Sequence, residues 1–421
     1  MKLTAPFLVL AAVLVATPLW GESVLSHEEV IDIAWDSDIK PALLQRFPQA
    51  TAKELKEAHA FAYGGSVVQD VGYYPISNHK FTDLLHYVRT GDFVASMLRD
   101  ARDIDEYAFA LGVLSHYVTD CWGHHAINES VPIEYPNLRA KYGPVVTYED
   151  DREAHLRTEF SFDVLQVAKN RYSFQQYHDF IGFQVSEELL ERAFADTYGV
   201  SLDDMLHFDD LTLGTFRFAV SKIIPEVTQI AIATRKPAEV KERSDQAKKE
   251  FVYRISRADY EKEFGNRYRR PGIFARVLGF FLRLVPFGPA KVLGYRNPTP
   301  QTEDMFFRSM DRVFVQYHEF VRQVNAGDLR FPNLNLDTGV LTRPGEYALA
   351  DRTYMQLVHR LAHNHFAHVT PVLKADILQF FDNGIQPIPS IKPKDWQKTQ
   401  AALAELKAAT VAPAPPNGGG R

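Results

Sequence analysis

The chain has 421 residues and a single cysteine, Cys121, so no disulfide can form within one copy, and packing or bound metal must carry its stability. A dominant charge is also missing: 47 Lys and Arg stand against 53 Asp and Glu, a formal −6, with acids and bases interspersed. That balance excludes the basic footprint of a nucleic-acid binder. No stable nucleic-acid partner is expected, and any nucleic acid the protein meets would be substrate. Strand-like alternation is scarce as well. Apolar residues instead recur at three and four positions through "HEEVIDIAW", "AKELKEAHAFA", "FTDLLHYV", "DEYAFALGVLSHYVTD" and "AHLRTEFSFDVLQVA". The expected fold class is therefore all-α, with an ordinary globular composition of 46% hydrophobic and 24% charged residues.

The opening "MKLTAPFLVLAAVLVATPLWG" pairs Lys2 with an apolar stretch from Pro6 to Ala16 that is short for a bilayer span. It reads as a signal peptide over 1–21, and its removal takes the net charge from −6 to about −7. Such a protein would be secreted or periplasmic. A cut after Gly21 leaves a small residue beside the bond and makes Glu22 the new N-terminus; a cut before Trp20 is the alternative.

A helical domain is expected over 22–234, with Gly-, Pro- and Asn-bearing joints near Gly64–Asn78 and Asn128–Pro144. At "ATRKPAEVKERSDQAKKE" the pattern becomes charged, which marks the start of a second helical region over 235–405 of unknown role. The final 406–421, ending "APAPPNGGGR", is expected to be a disordered tail. Within 271–296, Arg276, Arg283 and Lys291 punctuate a strongly apolar stretch that could contact a membrane interface peripherally.

Eight of the fifteen histidines occur by His155. With Asp105 to Asp120 read as one helix, His116 and Asp120 are four apart and share a face, while Ala108, Gly112 and Ser115 are small enough to admit a second helix beside them. His155 and Glu159 repeat the spacing. His124 and His125 follow the first pair after a short expected turn, so either can reach the same region. Imidazole nitrogens and carboxylate oxygens are zinc ligands, and two such pairs, with His27, Asp70 and His86, point to a polynuclear metal site.

Four segments, "ESVLSHEEV", "GSVVQDVGYYP", "LSHYVTDCWGHHAIN" and "EAHLRTE", resemble the zinc-dependent phospholipase C and single-strand-specific nuclease superfamily. The nearest branch by motif includes the catalytic domain of GPI-anchor-specific phospholipase D. The resemblance covers Glu22 to about Leu165 and implies a cluster of three Zn2+ ions. Asp70, His86, His116 and Asp120 would hold one; Asp120 would bridge to a second on His27 and the amine and carbonyl of Glu22; His125, His155 and Glu159 would hold the third. The form "HAIN" resembles the family's "HAAN", favouring His125, whereas "D-x-x-x-H" favours His124. The histidine after Asp70 is His86 by its context in "DLLHY", with His79 the alternative.

The implied activity is hydrolysis of a phospholipid phosphodiester by metal-activated water, with Asp70 the general base and Asp120 the other catalytic carboxylate. A single-strand-specific nuclease is the alternative, and a non-catalytic, zinc-stabilised helical binding protein the second. Tyr73, Tyr74, Tyr87 and Trp122 are placed to form walls around a headgroup or base, or to pack the core. Two further features attract attention: "HRLAHNHFAH", with His359, His363, His365 and His368, which reads as a groove or interface, and His178-Asp179, which lacks the partners of a phosphohydrolase pair.

Overall fold

The computed structural model describes residues 24–74, 77–168, 184–206, 295–382 and 387–410. They are helical almost throughout. In chain order the helices are α1 (Val24–Ala34), α2 (Lys40–Arg46), α3 (Ala52–Val67), α4 (His79–Tyr87), α5 (Thr90–Asp100), α6 (Ile104–Glu134), α7 (Pro136–Tyr142), α8 (Arg152–Ala168) and α9 (Glu187–Tyr198). After residue 295 come α10 (Pro300–Asn325), α11 (Ala348–His363), α12 (Pro371–Asp382) and α13 (Pro393–Ala408). A π-helical turn spans Trp35–Ile39, and a 3-10 turn, Val68–Tyr73, follows α3. Strands β1 (Leu334–Asn335) and β2 (Val340–Leu341) pair antiparallel, Leu334 opposite Leu341.

The spine is α6. Asp103 caps it by accepting the Glu106 N–H at 2.8 Å, and nearly every residue from Tyr107 to Cys121 is buried. A helix apolar on all sides needs neighbours on all sides. On one flank lies α3, begun by a reciprocal Thr51–Glu54 capping box. On another lies α10, whose Tyr317 hydroxyl donates to the Leu111 carbonyl at 3.1 Å. Glycine sets the first contact: a Cβ at Gly112 would stand 2.1 Å from the Ala62 carbonyl oxygen, and one at Gly65 would stand 2.0 Å from that of Phe109. Gly112 thus admits the close neighbour that its small size suggests.

Three expectations of local structure are corrected. Gly64 and Gly65 do not open a joint; they complete the last turns of α3, because its backbone lies against α6 where only glycine fits. The turn expected after Asp120 is absent, since α6 continues for 31 residues with Pro132 inside it. The tail begins later than 406, for α13 runs to Ala408 and buries Leu406.

One hydrophobic core joins the described residues before 206 to those after 295. The segment from Phe331 to Asp337 threads into the site helices: the Leu336 N–H donates to the His86 carbonyl at 3.0 Å, and the Asn128 amide donates to the Asp337 carbonyl at 2.7 Å. The joint around residue 234 lies outside the described residues. Among them, no helix is long and apolar enough to cross a membrane.

Candidate metal centre

Each side chain that converges on the centre is aimed by its backbone. At the start of α1 the Asp163 carboxylate accepts the Leu25 and Ser26 N–H groups at 3.4 and 3.2 Å and the Ser26 hydroxyl at 3.1 Å. That clamp replaces a local cap and sets His27 on the inward face, one residue on. Asp70 projects from the 3-10 turn. Thr82 fixes that turn by donating to the Gln69 carbonyl at 2.7 Å and accepting the Gly72 N–H at 2.9 Å.

Five ligand-type side chains then meet. His86 Nε2 lies 3.3 Å from Asp70 Oδ1 and 3.4 Å from Asp120 Oδ2. His116 Nε2 is 3.1 Å from Asp120 Oδ2, and His27 Nε2 is 3.3 Å from Asp120 Oδ1. The His27 and His116 rings stack with centroids 4.3 Å apart. Asp120 therefore turns one oxygen to His27 and the other to His86 and His116. Next to them, His155 Nε2 and His124 Nε2 both approach Glu159 Oε1, at 2.9 and 3.2 Å, while His124 Nε2 also stands 3.8 Å from Asp120 Oδ1.

The far ring nitrogens are committed elsewhere. His86 Nδ1 faces the Thr82 carbonyl at 2.9 Å, His116 Nδ1 the Ser66 carbonyl at 2.8 Å, and His124 Nδ1 the Leu336 carbonyl at 3.2 Å. A carbonyl can only accept, so each Nδ1 carries the proton and each Nε2 presents a lone pair to the centre in the neutral ring.

Metal ligation fits these atoms. Ligands at 2.0–2.2 Å from a tetrahedral ion stand about 3.4 Å apart, close to the separations found here. The groups His27–His116–Asp120, Asp70–His86–His116 and His124–His155–Glu159 each bring three ligand atoms within 4.8 Å of one another, all buried. Both oxygens of Asp120 and of Glu159, with His116 Nε2 and His155 Nε2, are buried without an aligned hydrogen-bond partner among the described residues. Such atoms are costly to leave in place without an ion.

In the ion-free chain the electrostatics divide these groups, His27 favouring the neutral form and His124 a proton in the place a metal ion would take. Burial holds His27 down to about 4, helped by the charge of His116, so it is a neutral donor. Burial works against the charge on His124, yet Asp120 and Glu159 overcome it and lift the ring to about 9. For Asp120, burial opposes ionisation, but His116 and His124 outweigh it and hold the carboxyl well below its usual range.

Of the residues expected from the sequence, the fold brings together His27, Asp70, His86, His116, Asp120, His155 and Glu159. Glu22 lies outside the described residues. His125 is not among those that converge. It is exposed and sits beside Gly339, whereas His124 faces Glu159. Helical continuity is the reason: His124 is one turn beyond Asp120 on the same face, and His125 is rotated by about 100°. His79 is half-buried, with its ring 5.7 Å from that of Tyr73, and takes no place among the ligands.

The aromatic walls divide. Tyr73 stands edge-on to His86 at 6.0 Å, but Trp122 packs away from the centre against Tyr117 and Phe320. Tyr87 donates to Asp337 Oδ2 at 2.8 Å, as does Tyr347 at 2.5 Å. Asp337 Oδ1 is 3.9 Å from His124 Nδ1, a support from far along the chain that no local motif announces. In the C-terminal histidine cluster, His359 Nε2 meets the Thr399 hydroxyl at 2.9 Å, and no converging ligand group forms there among the described residues. His178, Asp179 and residues 271–294 lie outside the described residues.

Residues 26–204 match the family model described as zinc dependent phospholipase C. No curated protein and no solved structure matches the chain.

Proposed function

We propose that residues 26–204, a domain of the zinc-dependent phospholipase C superfamily, make this protein an exported phosphodiesterase that hydrolyses phospholipids. The observation that carries the reading is the place of Asp120, one oxygen facing His27 and the other His86 and His116, with His116 common to two buried ligand groups, a design that sets ions side by side rather than holding one for stability.

Three Zn2+ ions would be held: one by Asp70, His86, His116 and Asp120, one by Asp120, His27 and the Glu22 terminus left after removal of 1–21, and one by His124, His155 and Glu159. Bound zinc supplies a lowered pKa for water and charge compensation for the phosphoryl oxygens. Asp70, whose Oδ1 lies 3.3 Å from His86 Nε2 and 3.6 Å from His116 Nε2, accepts the proton of the attacking water. The water oxygen bonds to phosphorus as the bond from phosphorus to the glycerol oxygen breaks. That oxygen takes up a proton, releasing diacylglycerol and the phosphorylated headgroup. Asp120 fixes the spacing of the whole centre by holding four imidazoles on two oxygens.

The decisive experiment counts zinc in protein purified from the exported fraction and assays phosphatidylcholine, phosphatidylinositol and single-stranded DNA side by side. Two or more tightly bound ions with lipid hydrolysis are expected. Hydrolysis of DNA alone would move the protein to the nuclease branch, and zinc without either activity would make it a zinc-stabilised binding protein. N-terminal sequencing of the same sample tests export, with Glu22 as the expected first residue.

A further inference from the structure

Beside the metal centre stands a cation with no carboxylate at ion-pair distance among the described residues. Arg152 opens α8, three residues before His155, and its guanidinium lies over the Tyr148 ring at 4.7 Å and over the Tyr73 ring at 5.9 Å. Those rings are themselves packed on the ligands: Tyr148 is edge-on to His155 at 5.6 Å, and Tyr73 to His86 at 6.0 Å. The two tyrosines are 5.8 Å apart and buried, so they form one platform joining both sides of the centre. Arg152 is half-buried on it, with no carboxylate within ion-pair distance among the described residues.

His79, whose ring is 5.7 Å from that of Tyr73, has its pKa lowered by burial and by the charge of Arg152, so the neutral ring is favoured there and Arg152 supplies the positive charge. Burial lifts Asp83 to about 6, against the opposing pull of His86, Arg152 and Arg352. Asp83 feels the charge of Arg152, but no ion pair joins the two among the described residues. A guanidinium braced on aromatic faces keeps its forked donors in a fixed plane, the arrangement that recognises carboxylate or phosphate. A quaternary ammonium would meet repulsion at the same place.

We propose that Arg152, with Tyr73 and Tyr148, forms a headgroup subsite for an anion, so that the preferred phospholipid carries a carboxylate or a second phosphate on its headgroup rather than choline. The inference rests on the phospholipase reading but is tested apart from it. The products of hydrolysis serve as probes: zinc-loaded protein is titrated calorimetrically with phosphoserine and with phosphocholine, then the measurement is repeated on Arg152→Gln and Arg152→Lys. Phosphoserine should bind at least tenfold more tightly than phosphocholine. In Arg152→Gln the two should come within about twofold, with zinc content unchanged, and Arg152→Lys should restore part of the preference. A preference for phosphocholine, or a phosphoserine preference that survives in Arg152→Gln, overturns the subsite. Discrimination between the two probes without hydrolysis of any phospholipid would leave the subsite standing and remove the proposed activity instead.

Discussion

Replacing Gly112 with alanine should damage the metal centre from behind. The new Cβ would lie 2.1 Å from the Ala62 carbonyl oxygen, and ordinary contact begins near 3.4 Å, so α3 and α6 must part by about 1.3 Å. The three nearest atoms, the Ala62 carbonyl oxygen, Gly65 Cα and Ser66 N, are all backbone, so no side chain can turn aside. Overpacking of this kind costs about 1–3 kcal/mol, and parting the helices also stretches the 2.8 Å bond from His116 Nδ1 to the Ser66 carbonyl, about 1 kcal/mol more. Alanine recovers roughly 1 kcal/mol of helix propensity. A net loss of about 1–3 kcal/mol is expected in chemical denaturation of the zinc-free protein, with weakened zinc retention on dialysis against a chelator because His116 loses its orientation. Stability within about 0.5 kcal/mol of the parent, together with full zinc retention, would refute the argument that this backbone contact positions His116.

Asp120→Asn keeps the shape but removes the charge facing four imidazoles, and should lower the zinc count by at least one ion per chain; an unchanged count by atomic absorption would undo its assigned role. His124→Ala should release zinc while His125→Ala retains it, and the reverse order would contradict the helical register that puts His124 on Glu159. His59, stacked on Trp35 at 3.8 Å, has its pKa pushed by burial from 6.5 down to about 3. The unfolded chain therefore takes up a proton near pH 6.5 that the folded chain refuses, so stability is lost as pH falls from about 6.5 toward 3. Because His59 keeps some solvent contact, about 2 kcal/mol of that loss should be absent in His59→Phe; parallel denaturation curves for the two proteins between pH 7 and 4 would exclude it.

The helices and the pairs His116–Asp120 and His155–Glu159 could be anticipated because both depend on spacing of three and four residues, whereas His27, Asp70 and His86 were placed by the family resemblance. His155 and Glu159 share a face in any helix that contains them. The choice between His124 and His125 depended instead on whether α6 continues past Asp120, and the apolar pattern gives no stop or start there. Gly64 and Gly65 looked like a joint because glycine weakens an isolated helix, whereas here it lets two backbones touch. Asp337 and Tyr347 were out of reach for another reason. Their partners Tyr87 and His124 stand some 200 or more positions away, and a contact so distant leaves no periodic trace.

The position of Asp337 also has a meaning in time. A ribosome delivers the chain from its N-terminus, so residues 26–204 are present well before the segment from Phe331 to Asp337 exists. Until that segment arrives, His124 lacks the Leu336 carbonyl and His86 its outer brace at the Leu336 N–H. The nascent protein thus passes through an interval in which its ligands have been made but not yet locked. The last fastening of the centre thus lies more than a hundred residues beyond the family-matched segment that carries its ligand-type side chains.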